Sequence, residues 1–339
     1  MIELINIKKV ERNLGIELLR MFLSYWIIVI HCLSLSDLRR KIERHNYHVP
    51  CFSFISFYFL YKILIMRNIN VIKNRFERLL IPYLVWPSII WIYNNISFII
   101  FGTNRFERFL TFYDLKIQIL VGRGFHGPMW FLFSLIIFTL FFVIVSFIFI
   151  EHFLFVLLLM AIISYSIQYS KYGFEFFNGF NECIRGSLGH CLATFPIAII
   201  AILFSSFNLV QCIQKHYKKS IFLSFVMIYF IYKNDIFVNL HWYYGFKKAF
   251  MTILIFILFA SLPIREIDSK ILNFIIKTIT SYTQGIYCTH LIIMHYLVNL
   301  SSINEINFKE CLVIYLLGYY ISFIGFKIVG KTKLKYLFI

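Results

Sequence analysis

The chain is poor in charged residues. Only 14% of its 339 residues are charged, while 60% are apolar; an ordinary soluble protein has about 25% charged residues. A soluble domain of this length cannot bury so much apolar surface. This excludes a soluble globular protein and indicates that lipid is the solvent for much of the chain.

Glycine is also scarce, at 14 residues, and no internal repeat divides the sequence. Many transporters are built from such repeats, so their absence weighs against that class. The shortage of glycine predicts few helix contacts through small residues and packing through large side chains instead. No Pro/Gly/Ser-rich linker interrupts the chain, which predicts one integral membrane domain over residues 1–339.

The cysteines and histidines lack the spacing of a metal site. The seven cysteines contain no C-x-x-C pair, and most lie in or beside apolar runs, where cysteine behaves as a small hydrophobic residue. We therefore expect neither a disulfide framework nor a bound metal. His290 and His295 are five residues apart, about 140° around a helix, so we expect structural roles for them.

Long apolar runs are the main feature of the sequence. A membrane-spanning helix needs about 20 mostly apolar residues. The runs predict an all-α fold, a polytopic transmembrane bundle of about ten helices. The predicted spans are 14–34, 50–66, 79–101, 128–149, 152–168, 187–207, 220–238, 248–263, 279–300 and 311–329.

The net charge of +17 raises the question of an acidic partner. Basic loops are normal in membrane proteins, where they orient the helices and attract anionic lipid. We therefore expect membrane lipid, and no nucleic acid, as a partner. The distribution of basic residues favours both ends in the cytoplasm, with basic segments at 8–12, 67–78, 215–219, 265–270 and 331–335 on that side.

The first predicted helix contains three ionisable residues, Glu17, Arg20 and His31. Such groups are costly in lipid and commonly mark function. Arg20 and His31 are eleven residues apart, which leaves them about 20° apart around the helix and about 16 Å apart along it, and Glu17 shares their face. This stripe fits a helix that lines a hydrated cavity. It also fits a structural role, with Arg20 reaching the interface beside Glu17 and His31 bonding a neighbouring helix.

Two arginines precede the third predicted span. Arg75 and Arg78 are three residues apart, so they lie near one helical face at its inner end. Guanidinium groups bind phosphate bidentately, and two of them can clamp a phosphorylated cofactor arriving from the cytoplasm. Positive residues also commonly end an inner helix without any ligand.

Further motifs follow in a fixed order along the chain. Pro82 and Tyr83 come after the arginine pair, a middle helix begins with GPMWFLFSLI (127–136), and SYTQGIYCTH (281–290) lies near the end. Together with the first helix, these segments resemble the acyltransferase-3 family of integral membrane transferases. The resemblance covers about residues 14–330.

The ionisable residues match the motifs of that family one by one. Its first helix carries an arginine, ten residues and a histidine, which matches Arg20 and His31. Its acidic-Leu-x-Leu-Arg opening is similar to the segment from Glu17 to Arg20, with Glu in place of the commoner Asp. Its Arg-x-x-Arg motif matches Arg75 and Arg78.

The resemblance implies transfer of an acyl group, commonly acetyl, from acetyl-CoA in the cytoplasm to a hydroxyl of a surface or exported polysaccharide or a lipid-linked glycan. It implies a multi-pass protein of the bacterial cytoplasmic membrane. We expect three catalytic residues. His31 would be the base or a transient acyl carrier, and Arg20, beside Glu17, would order the cavity or contact the donor. Arg75 and Arg78 would bind the phosphates of coenzyme A.

Two other functions share these sequence features. A polysaccharide exporter or transporter would have the helices and the polar stripe without covalent chemistry. A polysaccharide polymerase usually places arginines in a large outer loop, and the 102–127 loop contains Arg105, Arg108 and Arg123.

Overall fold

The computed structural model describes residues 13–32, 47–102, 108–122, 124–125, 129–169, 182–234, 246–263, 270–301 and 306–339. Within these ranges the chain forms α-helices and one short 3₁₀ helix, and no strand. The α-helices are α1 (Leu14–Cys32), α2 (His48–Met66), α3 (Ile69–Phe101), α4 (Phe112–Val121), α5 (Met129–Ile148), α6 (Phe153–Tyr169), α7 (Glu182–Ser206), α8 (Leu209–Lys215), α9 (Tyr217–Asn234), α10 (Phe246–Ala260), α11 (Lys270–Ser281), α12 (Thr283–Ser301) and α13 (Phe308–Val329), and the 3₁₀ helix is Lys333–Leu337.

The all-helical membrane architecture is confirmed, and each predicted span corresponds to one helix. By length and composition, six helices of the described chain can cross a membrane, and three shorter apolar helices accompany them. The sequence missed α4, α8 and most of α11, which are short. Residues 33–34, 128 and 235–238 of the predicted spans, and basic residues 8–12 and 265–269, lie outside the described residues.

Helix α1 lies at the centre of the bundle, in contact with α2, α10, α11, α12 and α13. Its N-terminal end packs tightly on α10. The amide of Asn13 donates to the carbonyl oxygen of Ala260 at 3.0 Å. A Cβ atom at Gly15 would overlap the carbonyl oxygen of Phe259. The absence of a side chain at Gly15 therefore allows this contact and fixes the position of α1.

Helix α3 is longer than a membrane requires. It has 33 residues and therefore measures about 50 Å, whereas the hydrocarbon core is about 30 Å thick. The side chain of Asn68 caps it by accepting from two backbone N–H groups, which explains why it begins ten residues before the predicted span. The turns that extend it before the predicted span carry Arg75 and Arg78.

The interior is packed by large side chains, as the scarcity of glycine predicts. Phe57 of α2, Phe138 and Phe142 of α5 and Phe195 of α7 form one group of ring contacts, with centroids 5.3 to 6.2 Å apart. Large apolar side chains are also exposed on the outer faces of α3, α5, α6, α9 and α13. An apolar exterior of this extent is the surface that lipid covers.

Candidate functional site

A cavity of about 830 Å³ opens between α1, α2, α3, α5, α12 and α13. Four cationic side chains and one carboxylate line it, among apolar and aromatic residues. The ionisable lining residues are Glu17, Arg20, Arg75, Arg78 and Lys335. Four of these five were predicted as site residues, and the structure brings them together in one cavity.

Arg20 is held from two sides. Its Nη1 donates to Glu17 Oε2 at 3.1 Å, and its Nη2 donates to the hydroxyl of Thr283 in α12 at 3.2 Å. Glu17 is buried, so this ion pair neutralises a carboxylate that would otherwise be costly in the bundle. Glu17 therefore holds the guanidinium of Arg20 in the cavity wall.

Arg75 is fixed by two neighbouring helices. Its Nε donates to Thr139 Oγ1 of α5 at 3.2 Å, and its Nη2 donates to Ser56 Oγ of α2 at 3.0 Å and to the carbonyl oxygen of Ser56 at 3.4 Å. These bonds use one edge of the guanidinium and leave Nη1 for a ligand. The planar group is thus preorganised for an anion in the cavity.

Arg78 lies at the exposed end of the same cavity. Its guanidinium carbon is 5.8 Å from the ring centroid of Tyr336, a cation–π distance. Its backbone carbonyl accepts from Gln284 Nε2 of α12 at 3.0 Å. The two arginines therefore form a deep and an outer cationic position, one helical turn apart.

His31 lies at the other end of α1 and does not line the cavity. On the intervening face of α1, Ser24 and Ile27 are buried, and the hydroxyls of Ser24 and Tyr315 are 3.2 Å apart. The predicted hydrated stripe is therefore present at Glu17 and Arg20 but is closed along α1 before His31.

The imidazole of His31 instead faces α12. Its ring centroid is 5.4 Å from that of His290, which is fully buried. His290 Nδ1 is 2.6 Å from the carbonyl oxygen of Tyr287. A carbonyl can only accept, so Nδ1 is assigned the proton and Nε2 of the neutral ring is the acceptor nitrogen. Tyr287 lines the cavity and thus connects it to the histidine pair.

One face of α12 joins both ends of the site. Thr283 binds Arg20, Tyr287 lines the cavity, and His290 contacts His31. These positions follow the i, i+4, i+7 spacing of a helical face. His290 was expected to have a structural role from its spacing to His295, although it ends the SYTQGIYCTH motif. The i, i+4, i+7 pattern within SYTQGIYCTH was the signal that could have identified it.

His48 is a further ionisable group near His31, and Lys248 is in turn near His48. His48 begins α2, is buried, and lies within electrostatic reach of His31 and of Lys248 in α10. The sequence analysis did not single out either residue. Among the described residues, no group of three or more His, Cys, Asp or Glu side chains is placed to hold a metal.

Of the three loop arginines of the polymerase hypothesis, the structure describes Arg108. Arg105 and Arg123 are outside the described residues. Arg108 donates through Nη1 and Nη2 to both carboxylate oxygens of Asp114, at 3.0 and 2.8 Å. These hydrogen bonds lower the pKa of Asp114 from 3.8 to about 2. Arg108 is therefore engaged in the structure of its own loop.

The arrangement supports binding of an elongated anionic ligand. Cationic groups concentrate at one end of the cavity, and an imidazole pair able to accept a proton lies beyond its aromatic wall. Arg20 and His31 are about 16 Å apart along α1. A ligand that joins the two must carry its negative charge at one end and its reacting group at the other.

Comparison with known proteins gave one match. A family model described as an acyltransferase domain, that of acyltransferase 3, matches residues 13–330. Neither the search of curated proteins nor the search of solved structures gave a match.

Proposed function

The chain belongs to the acyltransferase-3 family, and on this premise we propose that it is a membrane O-acyltransferase of the bacterial cytoplasmic membrane. It transfers an acetyl group from cytoplasmic acetyl-CoA to a hydroxyl of a surface or exported polysaccharide. The observation that carries the proposal is the face of α12 that joins the cationic cavity to His31 through Thr283, Tyr287 and His290. Membership of the family supports acyl transfer as the reaction, and the cationic lining of the cavity supports a donor that carries phosphates.

The donor binds with its phosphates at the cationic end of the cavity. Arg75 offers Nη1 from a guanidinium already held by Ser56 and Thr139, so little conformational freedom is lost on binding. In the predicted orientation this end faces the cytoplasm. The arm that carries the thioester then extends along the aromatic wall of Phe131 and Tyr287 towards His31.

His31 acts at the reacting end. As a base, its neutral imidazole takes the proton of the acceptor hydroxyl while the oxygen forms a bond to the acyl carbon. The bond from carbon to sulfur breaks, and the thiolate of coenzyme A accepts the proton from the imidazolium. As an acyl carrier, the ring nitrogen attacks the acyl carbon first, the bond from carbon to sulfur breaks, and the thiolate takes the proton that the acylated ring loses. The acceptor oxygen then bonds to the acyl carbon, the bond from carbon to nitrogen breaks, and the hydroxyl proton passes to the departing imidazole.

The acyl-carrier route suits an acceptor on the outer side of the membrane. A thioester donor is available only in the cytoplasm, whereas an exported glycan lies outside. A histidine at the far end of α1 from the phosphate site can pass the acyl group between them. An accumulated acyl-histidine, trapped with hydroxylamine, distinguishes this route from the base route.

The first test measures alkali-labile O-acetyl on the surface polysaccharide by proton NMR. The strains are a deletion and the same deletion carrying wild-type, His31→Ala or His152→Ala protein at matched membrane levels. His152 lies in the exposed turn between α5 and α6 and is the control for loss of a histidine. We expect acetyl with the wild type and His152→Ala, and none with His31→Ala.

The alternatives have a different result in the same strains. An exporter or polymerase leaves the acetyl content per sugar unchanged and alters the amount or the chain length of the polysaccharide. That result would exclude the acyltransferase proposal for this glycan and would favour a function without covalent acyl chemistry.

A further inference from the structure

The segment of residues 330–339 turns back from α13 onto the mouth of the cavity. The hydroxyl of Thr332 caps its 3₁₀ helix by accepting from the N–H of Leu334 at 3.2 Å. The segment packs against α3, and Lys335, Tyr336 and Ile339 line the cavity. It lies almost entirely beyond the residues that the family model matches, so family membership assigns it no role.

Apolar and polar contacts anchor this segment. The indole N–H of Trp86 donates to the carbonyl oxygen of Leu337 at 3.2 Å. The ring of Phe338 lies edge-on to Trp86, with centroids 6.1 Å apart, and it occupies the space that a side chain at Gly325 would need. Lys333 pairs with Glu77 of α3. The segment is therefore held in one position at the cavity mouth.

Two cations share one aromatic ring at this position. Lys335 Nζ is 5.4 Å from the ring centroid of Tyr336, and the guanidinium carbon of Arg78 is 5.8 Å from it. Glu17 has the only side-chain carboxylate among the described lining residues, and it pairs with Arg20. Two cations near each other without a carboxylate are the arrangement that an anionic ligand stabilises.

We infer that Lys335, positioned beside Tyr336 and Arg78, is a third phosphate-binding residue for the nucleotide end of the donor. This inference rests on the proposed function. Arg75 is fixed between α2 and α5 and serves the deeper phosphate position, whereas Arg78 and Lys335 serve the position at the cavity mouth. A phosphorylated nucleotide is the chemical class that requires several cationic contacts at one end of an elongated ligand.

The test compares three purified variants in nanodiscs. Lys335→Gln removes the charge, Lys335→Arg keeps it, and Lys331→Gln removes an exposed charge of the same segment that does not line the cavity. Binding of coenzyme A and of pantetheine, which lacks phosphates, is measured by calorimetry. The KM and kcat for acetyl-CoA and for S-acetylpantetheine are measured alongside.

We expect Lys335→Gln to weaken coenzyme A binding roughly tenfold, as for one charge-assisted hydrogen bond, with kcat unchanged. Lys335→Arg and Lys331→Gln should bind like the wild type, and pantetheine should bind all variants equally. An unchanged coenzyme A affinity in Lys335→Gln, or an equal loss for pantetheine, would overturn the inference. If the wild type binds coenzyme A but transfers no acetyl, only the proposed function fails.

Discussion

His31 and His290 lie with their ring centroids 5.4 Å apart, although they belong to the first and the twelfth helix of the bundle. The exposed ring of His31 is therefore backed by a fully buried one. Because Nδ1 of His290 is directed at the carbonyl oxygen of Tyr287, its ring orientation is fixed. A fixed second imidazole can orient His31 and stabilise its protonated form during proton transfer.

We predict that His290→Ala lowers kcat for acyl transfer by roughly 10- to 100-fold, less than the roughly 10²- to 10⁴-fold expected for loss of the acid–base residue itself. The KM for acetyl-CoA should change little, because His290 does not line the cavity. The pH profile of kcat should shift, since the environment of His31 changes. The measurement is the initial rate of coenzyme A release at a series of pH values.

His216→Ala is the control, because His216 ends the short helix α8 and is exposed. A rate for His290→Ala equal to that of this control would mean that His290 is a packing residue. A lower rate for His290→Ala with an unchanged pH profile would mean that His290 affects only the position of α12.

The sequence predicted the membrane bundle and four cavity residues because both leave local signals. Apolar runs of helical length identify spans, and the three-residue spacing places Arg75 beside Arg78 on α3. The partner of His31 was missed because the i, i+4, i+7 pattern of α12 identifies a helical face but not the distant helix that this face contacts. Lys335 was predicted only as a basic residue of the cytoplasmic side. Its place at the cavity depends on the contacts that hold residues 330–339 against Trp86 and beside Gly325, and these contacts join residues far apart in the sequence.

The packing of α1 on α10 gives a stability prediction. In Gly15→Ala the new Cβ overlaps the backbone oxygen of Phe259, which cannot rotate away, so the two helices must separate. We expect a loss of roughly 1–3 kcal/mol, as for other overpacked cores, seen as a lower Tm in detergent. Gly189→Ala is the matched control, because nothing lies within 4 Å of its added Cβ. Equal Tm values for the two variants would contradict this packing.

The Arg108–Asp114 pair predicts a pH dependence outside the membrane spans. The hydrogen bonds from Arg108 hold the folded pKa of Asp114 at about 2, below its ordinary 3.8. A lowered carboxyl pKa stabilises the fold above the unfolded pKa and loses this contribution as the pH falls towards 2. We therefore expect the N-terminal end of α4 to loosen between about pH 4 and pH 2.

Trp91 reports this change, because its indole N–H donates to the carbonyl oxygen of Thr111, the N-cap residue of α4, at 3.0 Å. Tryptophan fluorescence of the wild type should change in that pH window, and Trp91→Phe should remove the signal. Asp114→Asn should already be loosened at pH 7, by roughly 0.3–1 kcal/mol for a carboxylate lost from the first turn of a helix. A pH response in Asp114→Asn equal to that of the wild type would exclude this carboxyl as its source.

The hydrogen bonds that fix Arg75 should strengthen binding of the donor, although Thr139 and Ser56, which accept them, do not themselves have to contact it. Thr139→Val removes the acceptor of Nε, and Ser56→Ala removes the hydroxyl acceptor of Nη2 but keeps the longer bond to the carbonyl oxygen of residue 56. Hydrogen bonds to charged groups are worth about 1.5–3 kcal/mol, so each variant should weaken coenzyme A binding roughly tenfold. Arg75→Lys should bind coenzyme A no more tightly than Thr139→Val or Ser56→Ala. An ammonium group cannot replace the planar guanidinium, which bonds α2 and α5 along one edge and can bind a phosphate with the other.

Calorimetry with coenzyme A measures these affinities, and Ser88→Ala is the control. The hydroxyl of Ser88 bonds only within α3, to the carbonyl oxygen of Leu84, so this variant should bind like the wild type. In Thr139→Val the loss should be accompanied by a weaker dependence of affinity on salt, since a loosened guanidinium contributes less to the ion contact. An unchanged affinity in both Thr139→Val and Ser56→Ala would mean that Arg75 is a structural bridge between α2 and α5 and that Arg78 binds the phosphates without it.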